Sequence, residues 1–154
     1  MIIVSISQQT LIHRRASGVC VCYPVSTAEK GCGNVRNSLQ TPMGRHRIAV
    51  KIGAGEAENT AFVGRKAIGD YDAAIDDPQR DWILSRILWL TGCQTGINRR
   101  GRVDTLSRYI YIHGTHREDL IGTPASHGCI RMRNRDVIEL FDHASVGETV
   151  YIRR

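Results

Sequence analysis

The chain lacks any apolar run approaching the ~20 residues that cross a bilayer as a helix. Its longest such stretch, Trp82 to Leu90, is broken by Ser85 and Arg86, so no helical transmembrane segment is expected. Internal repeats, low-complexity tracts and linkers are also missing, which excludes solenoids, fibres and strings of domains. The opening Met1-Ile2-Ile3-Val4-Ser5-Ile6-Ser7 has no basic n-region, long apolar h-region or small-residue cleavage site, and reads as a first strand rather than an export signal. Five cysteines, Cys20, Cys22, Cys32, Cys93 and Cys129, are odd in number and show no pairing pattern. A disulfide framework is therefore not expected, and a reducing compartment is. The expected location is the cytoplasm, or the periplasm if an export signal precedes this start.

What is present fits one domain spanning 1–154. The chain is long enough to bury a core, and 42% hydrophobic with 6% aromatic residues is ordinary for a globule. The net charge of +6 follows from arginines spread over a solvated face. Arg99, Arg100 and Arg102 raise the question of nucleic acid, but no aromatics accompany them for base stacking, and no nucleic-acid partner is expected.

The chemistry concentrates between Ile112 and Met132, which reads IHGTHREDLIGTPASHGCIRM. Cys129 directly follows His127 and Gly128, and His113 stands fourteen residues before His127. A cysteine attacks as its thiolate, so it needs a neighbouring imidazole or a positive dipole end to lower a pKa of roughly 8.5. An imidazole can take and return that proton near neutrality. Gly128 lets the chain turn so that successive N–H groups can face an oxyanion. Arg108 to His113 (RYIYIH) alternates as a strand, placing His113 at its end on the non-core face. Gly122 and Pro124 in the following loop can then bring Cys129 back beside it. His127, two residues before the thiol, is a second imidazole that could face the oxyanion. These residues predict acyl transfer.

At these positions the chain resembles the catalytic domain of the L,D-transpeptidase family, also called YkuD or ErfK/YbiS/YcfS/YnhG, which acts on peptidoglycan. The matching residues are His113-Gly114, a loop, and Ser126-His127-Gly128-Cys129-Ile130-Arg131. Gln8 to Leu11, Tyr23 to Thr27 and Thr41 to Ile48 are similar to the family's opening hairpin and its threonine-proline-x-glycine segment. Ala28 departs from the glycine, and Gly114 from the serine, that some relatives carry. The resemblance implies Cys129 as acyl-enzyme nucleophile, His113 as base and the His127 to Cys129 turn as oxyanion hole. Gly114, Ser126 and Arg131 are the expected substrate contacts, with Arg131 suited to a stem-peptide carboxylate or, alternatively, to bracing the loop. Neither a metal nor another cofactor is implied.

Strands are expected over Ile2 to Ile12 and Val19 to Ser26, joined by a turn at Arg14 to Gly18, and over Arg47 to Ile52 after the turn Gln40 to Gly44. Gly53 to Asn59 reads as loop, Thr91 to Thr105 as a mobile basic loop, and Gly147 to Ile152 as a last strand. Trp82 to Leu90 is ambiguous by pattern, and the resemblance favours a strand. Asn134 is expected to cap a helix through Phe141 with Val137, Ile138, Leu140 and Phe141 inward. This pattern indicates a mainly β fold. The resemblance implies the family's sandwich or barrel-like architecture with one or two short helices.

Cys20, Cys22 and Cys93 read as small buried hydrophobes, His46 as a strand-surface residue, and His116 and His143 as solvated or locally bonded. The set His113, His116, His127 and Cys129 could be read as zinc ligands, but the H-x-C spacing is atypical and leaves Gly128 unexplained. The expected function is a cysteine acyl transferase on peptidoglycan stem peptides, with carbapenems expected as covalent ligands. Release of D-alanine from a tetrapeptide by hydrolysis is the favoured outcome, L,D-transpeptidation to a 3→3 cross-link the alternative. A non-catalytic muropeptide-binding module is the alternative of another class.

Overall fold

The computed structural model describes residues 1–154, which form a mainly β half-barrel with one α-helix. The chain opens with three antiparallel strands, β1 (Ile2–Ser5), β2 (Thr10–Arg14) and β3 (Cys20–Pro24). The expected hairpin had two strands here, and Gln9 is why there are three. Its φ of 51° reverses the chain, and its buried amide donates to Ile6 O at 2.6 Å and to Thr27 Oγ1 at 2.7 Å. A glutamine in the polar stretch Ser7 to Thr10 reads as a surface position, whereas here it holds a tight turn from inside. The turn at Arg14 to Gly18 is present.

β4 (Gly44–Ile52) lies between β7 (Ile83–Gly92) and β10 (Thr149–Arg153), and β10 pairs in parallel with β1. β5 (Thr60–Val63) and β6 (Lys66–Asp70) form a hairpin on the start of β7. The other edge of β7 carries β8 (Tyr111–Gly114), which pairs in parallel with β9 (Ile130–Met132). Strand β7 is therefore the hub, and its near-continuous apolar run reflects burial on both faces. Helix α1 (Asn134–His143) presents Val137, Leu140 and Phe141 to the core formed with Ile112, Ile130, Leu88 and Val150.

Three further expectations need correction. β8 begins only at Tyr111, because Arg108 leaves the sheet to donate to Gly33 O, Gln40 O and Ser38 Oγ. Asn134 is the first helical residue and not a side-chain cap. Its N–H donates to Glu118 Oε1 at 2.7 Å, while its amide accepts from Ser85 Oγ and donates to Thr115 O. The cap thus comes from a carboxylate sixteen residues away in sequence, favourably placed at the helix's positive end. Finally, Thr91 to Thr105 is anchored by fully buried Asn98, whose amide donates to Met43 O and Arg45 O and accepts from Gln94 N.

Candidate active site

The parallel pairing of β8 with β9 builds the site. His113 is in register with Arg131, so the side chains of both project to the same face. Cys129, two residues before Arg131, continues that face one step earlier. Its Sγ accepts a hydrogen bond from Tyr111 N at 3.3 Å and donates to Tyr109 O at 3.5 Å. Cys129 keeps partial exposure while packing against the Phe62, Ile87 and Tyr111 cluster.

His113 is buried at 1% exposure, not on an open strand face, and it feels the charges of Asp81 and Arg131. Its Nδ1 lies 2.6 Å from Gly114 O. A carbonyl only accepts, so Nδ1 carries the hydrogen and the lone pair of the neutral ring resides on Nε2. Burial lowers the His113 pKa, opposed by the Asp81 charge and the Gly114 bond. The ring is thus held neutral, in the tautomer a proton acceptor needs.

The thiol does not follow the expectation that its neighbours lower its pKa. Burial pushes it up to about 12, with the Tyr111 N–H, Arg131 and Arg108 opposing and Asp81 reinforcing. The resting pair is therefore thiol and neutral imidazole rather than thiolate and imidazolium.

Asp81 is the residue that sequence reasoning missed. It stands just before β7, outside every motif, and its Oδ2 lies 2.8 Å from Arg131 Nη2 and 3.6 Å from His127 Nδ1. Burial works to raise its carboxyl, but His113, Arg131 and His127 more than offset this and hold it below its ordinary value. Arg131 is 5% exposed and neutralised by this pair, which corrects its expected role as a carboxylate receptor in favour of bracing. His127 remains exposed and lines the larger of two grooves near the site. The larger, about 550 Å³, is lined by Arg36, Leu39, Arg108, Tyr109, Ile110 and His127 among others. The smaller, about 130 Å³, includes Asp81, His116, Ala125 and Arg131.

Two expected substrate contacts have structural duties instead. Ser126 is fully buried, its hydroxyl donating to Cys129 O at 2.6 Å and accepting from Gly128 N at 3.2 Å. Gly114 has no room for a side chain: a Cβ would lie 2.2 Å from Asn134 Oδ1 and 2.8 Å from Leu84 O. Gly128 adopts φ 132°, and Thr41 Oγ1 donates to its carbonyl, so the threonine-proline segment pins the turn. Because Gly128 N–H is taken, the unpaired donors of this turn are His127 N–H and Cys129 N–H, neither of which meets a protein acceptor. His116 turns away to Pro78 O and the Tyr71 ring, His46 is buried in the sheet rather than on its surface, and Cys20 and Cys22 are exposed on the edge strand β3 rather than buried.

Fold and site together place a thiol and an imidazole on one face of the sheet of a β half-barrel. The chain belongs to the L,D-transpeptidase catalytic domain family, YkuD, whose model matches residues 1–152. The Bacillus subtilis (strain 168) protein YqjB, named as an L,D-transpeptidase, is 48% identical over 48 residues, or 31% of this chain and 27% of YqjB. ErfK/SrfK of Salmonella typhimurium, named likewise, is 49% identical over 47 residues, or 30% of this chain and 15% of its own. The matches thus span less than a third of these relatives. Among solved structures, L,D-transpeptidase 3 from Mycobacterium tuberculosis, in complex with a faropenem-derived adduct, shares the fold with a TM-score of 0.58 at 19% identity. That alignment covers 99% of this chain and 59% of the other.

Proposed function

We propose that this domain is a cysteine acyl transferase acting on peptidoglycan stem peptides. The observation that carries this reading is the partly exposed Cys129 thiol on the same sheet face as a neutral His113 ring, beside two unpaired N–H groups. Family membership supports the donor as a tetrapeptide. Cys129 Sγ attacks the carbonyl between the L-centre of meso-diaminopimelate and D-alanine as His113 Nε2 takes the thiol proton. The His127 and Cys129 N–H groups stabilise the oxyanion. Collapse breaks the C–N bond, His113 returns the proton to the departing D-alanine amine, and a thioester remains. Water then gives a tripeptide, the first outcome we propose. The second groove, beside Asp81, favours a further reading in which a stem-peptide amine accepts the acyl group to give a 3→3 cross-link. A resting thiol with a pKa near 12 suits proton transfer concerted with attack, once substrate is seated.

Incubating the protein with purified disaccharide-tetrapeptide, with and without an amine acceptor, tests this by mass spectrometry. Tripeptide or a joined dimer is expected, with neither product from Cys129→Ala. A folded wild-type protein that releases no D-alanine under either condition refutes the proposal.

A further inference from the structure

Charge is divided unevenly around the thiol. On the smaller-groove side, Arg131 and Asp81 cancel at 2.8 Å and Arg117 is paired with Asp119, which leaves one cation, Arg80, held over the Trp82 ring. On the larger-groove side stand Arg36 and Arg108, and no carboxylate lines that groove. Neither guanidinium makes a salt bridge. Arg36 reaches only Ser107 O, at 3.4 Å. Arg108 is half-buried and donates to Gly33 O, Ser38 Oγ and Gln40 O, which uses three of its five N–H donors and pairs it with no anion. Those three bonds fix the guanidinium plane, so little side-chain entropy remains to be lost when an anion docks. The next residue, Tyr109, supplies the carbonyl that touches Cys129 Sγ, so the unpaired charge adjoins the reactive sulfur. A partly desolvated, uncompensated cation favours an anionic partner, and a planar fork favours a carboxylate.

We propose that the groove lined by Arg36, Arg108 and His127 is the carboxylate subsite for the acyl donor, so that donor carboxylate lies on the Tyr109 side of the thiol and the Asp81–Arg131 groove is left to the acceptor. This rests on the acyl-transfer reading for the identity of the donor, but the charge preference at Cys129 does not. The two iodo reagents separate them. Iodoacetate and iodoacetamide have nearly the same size and form the same S–C bond with loss of iodide, differing only in the charge that must enter the groove.

The rate of alkylation at Cys129 is measured by mass spectrometry of its peptide, apart from those carrying Cys20 and Cys22. The iodoacetate-to-iodoacetamide ratio in wild type is expected to exceed that of Arg36→Gln/Arg108→Gln by about fivefold, the size of one exposed charge pair. The excess shrinks in high salt and persists in Arg108→Lys, which keeps the charge. Because Arg108 also ties two loops together, Arg36→Gln alone provides a milder variant, with a smaller drop in the same direction. Ratios equal across wild type, Arg36→Gln and the double variant overturn the proposal. On tetrapeptide, Arg36→Gln is expected to raise KM severalfold with kcat kept, and an unchanged KM also overturns it. If wild type does not turn over tetrapeptide at all, the acyl-transfer reading falls, while the alkylation ratio still decides whether this groove recognises carboxylates.

Discussion

Asp81 Oδ2 lies 2.8 Å from Arg131 Nη2, joining the segment before the hub strand β7 to β9, and both charges act on the buried His113 ring. Removing one partner of a buried pair costs more than the pair contributes, because the other charge is stranded. Arg131 is 5% exposed, so Asp81→Asn is expected to destabilise by roughly 2–4 kcal/mol. Urea melts check this, and Asp81→Asn/Arg131→Met should recover part of the loss. A loss in the double variant equal to or larger than that of Asp81→Asn would argue against the pair.

The raised thiol predicts an unusual alkylation profile. At pH 8 Cys129 should react with iodoacetamide more slowly than exposed Cys20 and Cys22, and its rate should still be climbing above pH 10, since its pKa is about 12. A plateau below pH 9 would mean that the resting site holds a thiolate.

Penems and carbapenems are acyl donors of another shape, and the Mycobacterium tuberculosis relative is described with an adduct derived from the penem faropenem. Imipenem is expected to add its mass once to the wild type and not to Cys129→Ala, read by intact-mass spectrometry. An adduct on both proteins would place the chemistry elsewhere.

His46 sits buried between Gly44 O and Thr105 Oγ1, and burial lowers its pKa to about 4. An imidazole protonated in the unfolded chain near 6.5 but neutral when folded stabilises the fold above 6.5. That contribution is lost as pH falls from about 6.5 towards 4. The full effect is on the order of 3 kcal/mol. His13 and His113, whose pKa values burial also lowers, act with the same sign. Thermal melts across this window should show falling stability, and His46→Asn should flatten the slope.

Gly114→Ala is expected to destabilise by about 1–3 kcal/mol or more, since its Cβ meets a strand carbonyl as well as Asn134. Thermal melting checks it, and an unchanged Tm would mean that α1 and β7 can move apart at no cost.

Much of the site was legible because it is local. Cys129, His127 and Gly128 are consecutive, and His113 stands at the end of an alternating segment, so residue type and spacing alone suggested a thiol, a base and a turn. Strand β7 was legible from its apolar run, helped by likeness to the family. Asp81 was not, because a carboxylate in a polar stretch looks like any solvated residue until β7 carries it under Arg131. Ser126 and Gly114 were assigned to substrate by their neighbourhood in the motif, yet burial commits one to its own turn and the other to a backbone contact with β7.

By itself the sequence determined the chemical inventory and the alternation that makes a mainly β chain, since both depend on residue identity over a few positions. Only the tertiary structure decided which charges cancel, which remain unpaired and which nitrogen of His113 is free. Those depend on distances between segments far apart along the chain, and on how much water the packing removes. Arg131 and Arg108 are the same residue type and both act on one sulfur, and only the presence of Asp81 beside the first leaves one charge paired and the other unpaired.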